Sequence, residues 1–420
     1  MHAPPLARLL APRLPFYYGW VILGCVCFAG FVRQGAAVAV LSVFVEPMRG
    51  DLGWSSTAFG GAVSIGGVLA ALVSPSIGRL LDRRGARLLL CLAVIGTGFA
   101  TMAISRIDSV VAFYLLFCFA RMNWAGPFDL GLYGALNAWF VPRRARAASI
   151  ATLVQLAGLV AFPLIAHYAM NGADWRAGWI AVGFTVLSIG FVPVWLLLVR
   201  RPEDLGLAPE AAPASTLESR PEAQFSREQA LRTPAFWLLS LYAALVFPCQ
   251  AGVSLYQASH MIERGVDPTS AALIVSTFSF MSALASLGVG WLPRLWPIRH
   301  ALAVCGALMC AGALCLSAAT AAAAGFLGAA LFGLGVGGML TLLPVVWADY
   351  FGRASYGAIR GVALSMQVLA QASGPLAAGA LRDLSGAHTA SLGLFATLSA
   401  LAMLVALRAR PPASPMQAAD

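Results

Sequence analysis

The chain has 420 residues, of which 60% are hydrophobic and only 10% are charged. A soluble domain carries about 25% charged residues, so this composition excludes a soluble enzyme, a secreted disulfide scaffold and a DNA-binding protein. A lipid bilayer supplies the apolar solvent that such a sequence requires, and twelve helices of about 20 residues each would use most of its apolar residues.

The positive charge of the chain is concentrated between its apolar segments. All 27 basic residues are arginines, and the formal net charge is +10. Most of these arginines stand in short connectors, which is the pattern of the positive-inside rule rather than of a basic groove for nucleic acid. We therefore predict a multi-pass membrane protein with no nucleic-acid partner.

Twelve apolar segments, separated by charged or Pro/Gly-rich breaks, are the predicted membrane spans. The first is far too long for the core of a signal peptide, so we expect it to remain attached to the chain. The spans are 17–45, 56–80, 86–105, 109–140, 146–170, 175–199, 234–260, 268–292, 299–319, 322–348, 356–381 and 388–408.

The distribution of arginine between the connectors predicts the orientation of these spans. An even number of spans puts both termini on one side of the membrane. With the termini in the cytoplasm, only a few arginines fall on the outer side, which fits the positive-inside rule. Those outer arginines are Arg49, Arg106, Arg176, Arg264 and Arg382.

The longest connector divides the chain into two halves of six spans. It is rich in Pro, Ala and Glu, which predicts a solvated linker. Residue patterns at the end of the fourth span and at the end of the tenth are similar, which indicates two six-helix repeats around a central cavity. The predicted domains are a cytoplasmic N-terminal segment at 1–16, a bundle at 17–199, the linker at 200–233, a second bundle at 234–408 and a cytoplasmic tail at 409–420.

The cysteines give no sign of a disulfide framework or of a bound metal. All eight lie inside apolar segments, and neither a C-x-x-C pair nor a His/Cys cluster occurs. We therefore predict no metal and no cofactor.

The connector after the second span has a composition suited to a conformational gate. It reads GRLLDRRGAR over residues 78–87. Its two glycines permit a tight turn and close helix approach, and its aspartate can pair with basic groups or with the N-terminus of an opposing helix. The predicted gating residues in this segment are Gly78, Asp82, Arg83, Gly85 and Arg87.

This segment resembles the cytoplasmic signature of the major facilitator superfamily, G-x-x-x-D-R-x-G-R-R, and departs from it only at Ala86. The resemblance implies an all-α integral membrane protein with twelve transmembrane helices in two pseudo-symmetric six-helix bundles. The corresponding stretch of the second half, 290–299, lacks the aspartate, so we expect any latch there to be weaker.

Further stretches are similar to the bacterial monocarboxylate-transporter-like branch of that family, which includes oxalate/formate antiporters. They are YYGWV at 17–21, LGWS at 52–55, SP at 74–75, RPEDLGL at 201–207, DYFG at 349–352 and GAIRG at 357–361. The resemblance implies transport of an organic anion. The chain departs from the branch in its eighth span, where residues 271–292 include no charged residue although related proteins often carry a substrate-binding arginine there.

By the same resemblance, the first, fourth, seventh and tenth spans line the central cavity. Two arginines lie near the middle of the first and fourth spans, each at an insertion cost of about 2.5 to 3.5 kcal/mol. Paired guanidinium groups would form a clamp for a carboxylate. The candidate substrate-binding residues of these spans are Arg33, Gln34, Arg121, Asn123 and Trp124.

Asp129, in the fourth span, has two interpretations. It is either a proton-coupling carboxylate or a structural partner that neutralises one of the arginines. In the latter case one arginine holds the helices together instead of binding substrate.

The seventh span supplies polar side chains to the predicted cavity. Gln250, Tyr256 and Gln257 are candidate hydrogen-bond donors and acceptors for substrate, and Pro248 is expected to break the helix. His167 and His260 lie near the outer ends of their spans, where we expect them to be solvated.

Asp349 and Arg360 flank the turn after the tenth span. Their positions beside this cytoplasmic turn favour gating or helix-capping roles rather than contact with substrate.

The resemblance and the intramembrane charges together predict a secondary transporter for a small organic anion, such as a monocarboxylate, in a bacterial inner membrane. We expect a monomer that works by alternating access and is coupled to a proton or to a counter-transported anion. The alternatives are proton-coupled efflux of drugs or other amphiphiles, and a non-transporting receptor or sensor. The chain contains no nucleotide-binding loop and no catalytic motif, so we do not predict an enzyme.

Overall fold

A computed structural model describes residues 4–54, 56–170, 174–208, 224–291, 296–385 and 387–413. Within these ranges the regular structure is helical, and no strand occurs. Residues 209–223 of the predicted linker, residues 292–295 of the second-half connector and residues 414–420 of the tail lie outside the described residues.

The described helices follow the predicted spans in chain order. Those of the first half are α1 (Pro5–Leu10), α2 (Gly19–Arg33), α3 (Val38–Leu52), α4 (Ser56–Arg84), α5 (Ala86–Ile104), α6 (Val110–Ala125), α7 (Pro127–Trp139), α8 (Arg144–Met170) and α9 (Trp175–Leu197). Those of the second half are α10 (Arg227–Leu231), α11 (Pro234–Glu263), α12 (Pro268–Trp291), α13 (Ile298–Ala318), α14 (Ala322–Phe351), α15 (Tyr356–Ser385) and α16 (Thr389–Arg408).

Each of the twelve predicted spans corresponds to one helix or to a broken pair of helices. Eleven of these segments are long and apolar enough to cross a membrane, counted within the described residues. The remaining segment, α15, is as long as the others, but Gln367 and Gln371 make it more polar. Two short helices were not expected: α1 in the N-terminal segment and α10 at the end of the linker.

Two spans that we expected to be continuous helices are broken near their centres. In the first, a single 3-10 turn at Gln34–Ala36 and an extended residue, Ala37, separate α2 from α3. In the fourth, Gly126 adopts a non-helical conformation between α6 and α7, and Pro127 begins the second helix. Proline suits the first position of a helix because it has no N–H to leave unsatisfied. Backbone breaks of this kind are tolerated in a membrane only where protein or a water-filled cavity surrounds them.

The predicted break at Pro248 was wrong, because α11 is continuous through this residue. A Cβ added at Gly374 of α15 would overlap the Pro248 carbonyl, so the backbone of α15 packs directly on this part of α11. Close packing by a neighbouring helix is one way in which a proline is accommodated inside a transmembrane helix.

The chain divides into two compact units. Unit 1 comprises Met1–Glu222 together with Arg353–Ser365, and unit 2 comprises Ala223–Gly352 together with Met366–Asp420. The first third of α15 therefore belongs to unit 1. This part of α15 packs closely on α4 because glycines at the contact carry no side chain. A Cβ at Gly78 would overlap the Gly357 carbonyl. A Cβ at Gly361 would similarly lie 2.6 Å from the Ser74 carbonyl oxygen.

Candidate functional site

The broken helices of unit 1 bring Arg33 into contact with the fourth span. Arg33 is the last residue of α2, and it donates from Nε to the carbonyl of Trp124 at 2.8 Å. Its Nη1 donates to Oε1 of Gln155 on α8 at 2.9 Å. Its Nη2 lies 3.5 Å from Oδ1 of Asp129. All three nitrogens of this buried guanidinium group therefore have partners.

Arg121 is the second arginine of this cluster, and its surroundings are different. Its guanidinium group stacks on the indole of Trp124, with 4.0 Å from Cζ to the ring centroid. The Cζ atom of Arg33 lies 4.4 Å from the same ring, and the indole donates to Oε1 of Gln34 at 3.2 Å. Among the described residues, Nε and Nη1 of Arg121 have no hydrogen-bond partner, although the residue is half-buried. Buried guanidinium donors without partners are costly.

Asp129 connects this cluster to the first third of α15. Its Oδ2 lies 3.3 Å from Nη2 of Arg360, while its Oδ1 faces Arg33. Arg360 has only 2% of its surface exposed. The sequence places this residue beside the turn after the tenth span, where it does lie, and the structure adds that its side chain is buried. Arg360 lies one helical turn inside α15, and its side chain extends to the buried carboxylate of Asp129.

The cluster has more positive than negative charge. Arg33 contacts both Trp124 and Asp129, Arg121 contacts Trp124, and Arg360 contacts Asp129, which is the one carboxylate that the described residues are shown to place in the cluster. Uncompensated cations are expensive inside a membrane unless water, a counter-ion or a ligand solvates them. This arrangement favours an anionic ligand.

Three further contributors were not identified from the sequence. Gln155 of α8 accepts from Arg33 and lies 3.5 Å from the hydroxyl of Tyr133, which in turn is 3.3 Å from Oγ1 of Thr152. Uncharged polar residues are common in apolar spans, and nothing in their spacing indicates this network. In contrast, the Gly126-Pro127 dipeptide was a readable signal for the break in the fourth span.

The structure does not bring every candidate residue of the first half into the cluster. Asn123 is buried against α5, where its Nδ2 would lie 3.4 Å from a Cβ added at Gly96. No hydrogen-bond partner of this Nδ2 is found among the described residues.

The three candidates of α11 belong to unit 2, where they have separate surroundings. Gln250 accepts from Nε2 of Gln371 at 3.1 Å. The ring of Tyr256 lies against that of His388, with 4.9 Å between centroids. Gln257 is buried, and neither polar atom of its amide has a partner within the described part of the chain.

The two outer histidines differ in exposure. His167 is exposed, as expected, but His260 is only 2% exposed, so the expectation that it is solvated was wrong. Its Nε2 lies 2.9 Å from the carbonyl of Leu316, because α13 packs over this end of α11.

The predicted gating segment forms a defined contact within unit 1. Oδ1 of Asp82 accepts from the backbone N–H of Gly357 at 2.8 Å, and Oδ2 accepts from that of Ala358 at 2.7 Å. The pairing of this aspartate with an opposing helix N-terminus is therefore confirmed. The first N–H groups of a helix have no intrahelical partner, so a carboxylate there satisfies two of them and interacts favourably with the helix dipole.

The other predicted gating residues surround this contact or lie at the surface. Gly85 has φ +82°, a left-handed conformation that favours glycine, and ends α4. Arg87 donates to the carbonyl of Trp195 at 3.0 Å, whereas Arg83 and Asp349 are exposed. Arg353, which was not predicted, forms an ion pair with Glu203 at 2.7 Å.

Comparisons with known proteins agree with this architecture. The model of the Major Facilitator Superfamily matches residues 26–264 and 252–419. Monocarboxylate transporter 11 of Homo sapiens is 28% identical over 91% of this chain and 80% of that protein. Membrane sensor protein UhpC of Salmonella typhimurium is 26% identical over 62% of this chain and 60% of that protein. The gallate transporter of Pseudomonas putida is 26% identical and covers 69% of both chains.

A solved structure shows the same fold. The human organic anion transporter MFSD10 superposes with a TM-score of 0.72 at 16% identity, over 92% of this chain and 99% of that one. The predicted fold and the resemblance to monocarboxylate transporters are thereby confirmed, and the chain is a multi-pass membrane protein. It belongs to the Major Facilitator Superfamily, a family of membrane transporters of small molecules and not of enzymes.

Proposed function

We propose that this chain is a secondary transporter of a small organic anion, with monocarboxylates as the substrate class. The observation that supports this most directly is Arg121, whose guanidinium stacks on Trp124 while Nε and Nη1 have no partner among the described residues. A guanidinium N–H group without a partner can donate a charge-assisted hydrogen bond to a carboxylate oxygen. Trp124 offers an apolar face beside the charge, which suits the hydrocarbon part of the same molecule.

In this proposal Arg33 and Arg121 have different roles. The donors of Arg33 are engaged by Trp124, Gln155 and Asp129, so Arg33 positions the indole and the break in the fourth span. Arg121 supplies the substrate contact. The two-arginine clamp that the sequence suggested becomes one binding arginine and one positioning arginine.

A binding screen tests the proposed substrate class. Purified full-length protein is heated with monocarboxylates, dicarboxylates, aromatic acids and cationic drugs, because a ligand that binds the folded state raises the melting temperature. We expect stabilisation by a carboxylate and much weaker stabilisation by its methyl ester. Stabilisation by cationic drugs alone would instead favour efflux of amphiphiles.

The relative named as a membrane sensor makes a non-transporting sensor the second candidate. Flux measurements separate the two functions. Proteoliposomes should accumulate the radiolabelled carboxylate that stabilises the protein, driven by a proton gradient or by exchange for an internal anion. Binding without flux under both driving forces would identify a sensor.

We further propose that the chain is a monomer in a bacterial inner membrane with both termini in the cytoplasm. The linker end and an outer connector provide matched labelling positions, since Glu228 and Arg106 are both exposed. With the native cysteines removed, Glu228→Cys should react with an impermeant maleimide only after the cells are opened. Arg106→Cys should react in intact cells. The reverse pattern would contradict the proposed orientation.

The contact of Asp82 with Gly357 and Ala358 is proposed to stabilise one state of the transport cycle. Asp82→Asn should slow transport several-fold while the affinity for substrate changes little. In asparagine an NH₂ group replaces one of the two carboxylate oxygens, so one of the two hydrogen bonds from the α15 backbone is lost. Hydrogen bonds to a charged acceptor contribute about 1.5 to 3 kcal/mol.

The measurement for Asp82→Asn is flux in proteoliposomes beside equilibrium binding of the same carboxylate. Arg84→Gln is the control, because Arg84 is exposed at the end of α4 and is not one of the predicted gating residues. Equal flux for Asp82→Asn and the unaltered protein would show that the contact has no part in cycling.

A further inference from the structure

A group of titratable side chains in unit 2 lies apart from the charged cluster of unit 1. It is found where α11 and α15 end and α16 begins, which is the outer end of these helices in the proposed orientation. A cavity of about 590 Å³ adjoins it, and its lining includes His260, Glu263, Arg264 and Arg382. His388, which precedes α16, lies behind this lining and is 1% exposed.

Glu263 is the acidic member of this group and has two basic neighbours. Its Oε1 accepts a hydrogen bond from Nε of Arg382 at 2.9 Å, and the same oxygen lies 2.7 Å from Nη2 of Arg382. The same oxygen is 3.8 Å from Nε2 of His388. A proton on that nitrogen would therefore face a carboxylate at ion-pair distance.

The two histidines differ in their freedom to take up a proton. Nε2 of His260 lies 2.9 Å from a carbonyl oxygen, which can only accept, so the proton of the neutral ring is on Nε2. A second proton on His260 would place positive charge near Arg264, which is four residues further along the chain. Among the described residues, Nδ1 is buried without a partner in both rings, so His388 differs in that its Nε2 faces the Glu263 carboxylate instead of a carbonyl oxygen.

We propose that this group is a proton-binding site in which His388 takes up the proton and the carboxylate of Glu263 pairs with the resulting positive charge. The described charged and titratable groups around His388 are Tyr256, His260 and Glu263 from α11, Arg264 directly after that helix, and Arg382 from α15. Protonation makes His388 compete with Arg382 for the carboxylate. The ion pair between α11 and α15 is therefore weakened in acid.

The sign of the resulting pH dependence follows from burial. Burial lowers the pKa of His388 below its ordinary value of about 6.5, whereas Glu263 acts to raise it and Arg382 to lower it. The neutral form is thus favoured by folding. The stability contributed by this site is present above about pH 6.5 and is lost as the pH falls through the lower pKa of the folded state.

Histidine titration of the full chain by NMR tests the site directly. Full-length protein with ¹³C-labelled histidine is titrated in nanodiscs without any substrate, so the result does not depend on the proposed transport activity. The five histidine signals are assigned with single His→Gln variants. We expect a midpoint for His388 below pH 6.5.

Two charge variants should then move that midpoint in opposite directions. Glu263→Gln should lower it by about one pH unit, and Arg382→Gln should raise it by a similar amount. Arg382→Lys keeps the charge and should leave the midpoint near that of the unaltered protein, and His167→Gln in unit 1 should not affect it. Shifts in the same direction, no shift with Glu263→Gln, or a midpoint at or above 6.5 would overturn the proposal.

Discussion

Arg121→Gln should lower the affinity for the transported carboxylate by about 10- to 100-fold. The side chain keeps its polarity and much of its length but loses the charge and the planar pair of donors. Hydrogen bonds to charged groups contribute about 1.5 to 3 kcal/mol, and each 1.4 kcal/mol is a factor of ten in the dissociation constant. The measurement is isothermal titration of purified protein with the carboxylate that stabilises it most.

Arg121→Lys separates charge from geometry. Lysine keeps the positive charge, but it cannot donate two parallel hydrogen bonds or stack flat on the indole of Trp124. We therefore expect an affinity between those of the Gln variant and the unaltered protein. The methyl ester of the same substrate should bind the unaltered protein about as weakly as the acid binds the Gln variant.

The control for this series is Arg83→Gln, an exposed arginine outside the cluster. It should bind the carboxylate with unaltered affinity. If Arg121→Gln folds normally and binds the same anion as well as this control does, Arg121 is structural and the efflux function gains support.

Much of the fold was predictable because membrane spans follow from composition. Each predicted span corresponds to a described helix or pair of helices, since an apolar run of about 20 residues has no other stable solution in a bilayer. For Asp82 the sequence allowed two pairings, with basic groups or with the N-terminus of an opposing helix, and the structure shows the second. The glycines at 78 and 85 permit the close helix approach that this contact needs.

The breaks at Gln34–Ala36 and Gly126 were missed because hydropathy does not report on backbone continuity. Both segments remain apolar through the break. The arginines were correctly singled out as costly, but their partners were not predictable. Asp129 and Arg360 are 231 positions apart in the chain, and the packing of the first third of α15 onto α4 in unit 1 brings them together.

The same packing bears on the two interpretations of Asp129. As a structural counter-ion it compensates Arg33 and Arg360 at all times, and its loss should destabilise the protein. As a proton-coupling group it would lose its charge during every cycle, and the protein would have to tolerate the neutral form. Asp129→Asn imitates that neutral form and distinguishes the two.

We expect Asp129→Asn to destabilise unit 1 by about 3 to 5 kcal/mol, because removing one member of a buried ion pair leaves the other charge uncompensated. Two arginines lie within 3.5 Å of this carboxylate, and its side chain is only 12% exposed. Unfolding in a mixed-micelle titration measures the effect. Adding Arg360→Gln should recover part of the loss, so that the double variant is less destabilised than the sum of the single ones. An Asp129→Asn protein that is as stable as the unaltered one, and whose flux no longer depends on pH, would instead identify Asp129 as the proton-coupling carboxylate.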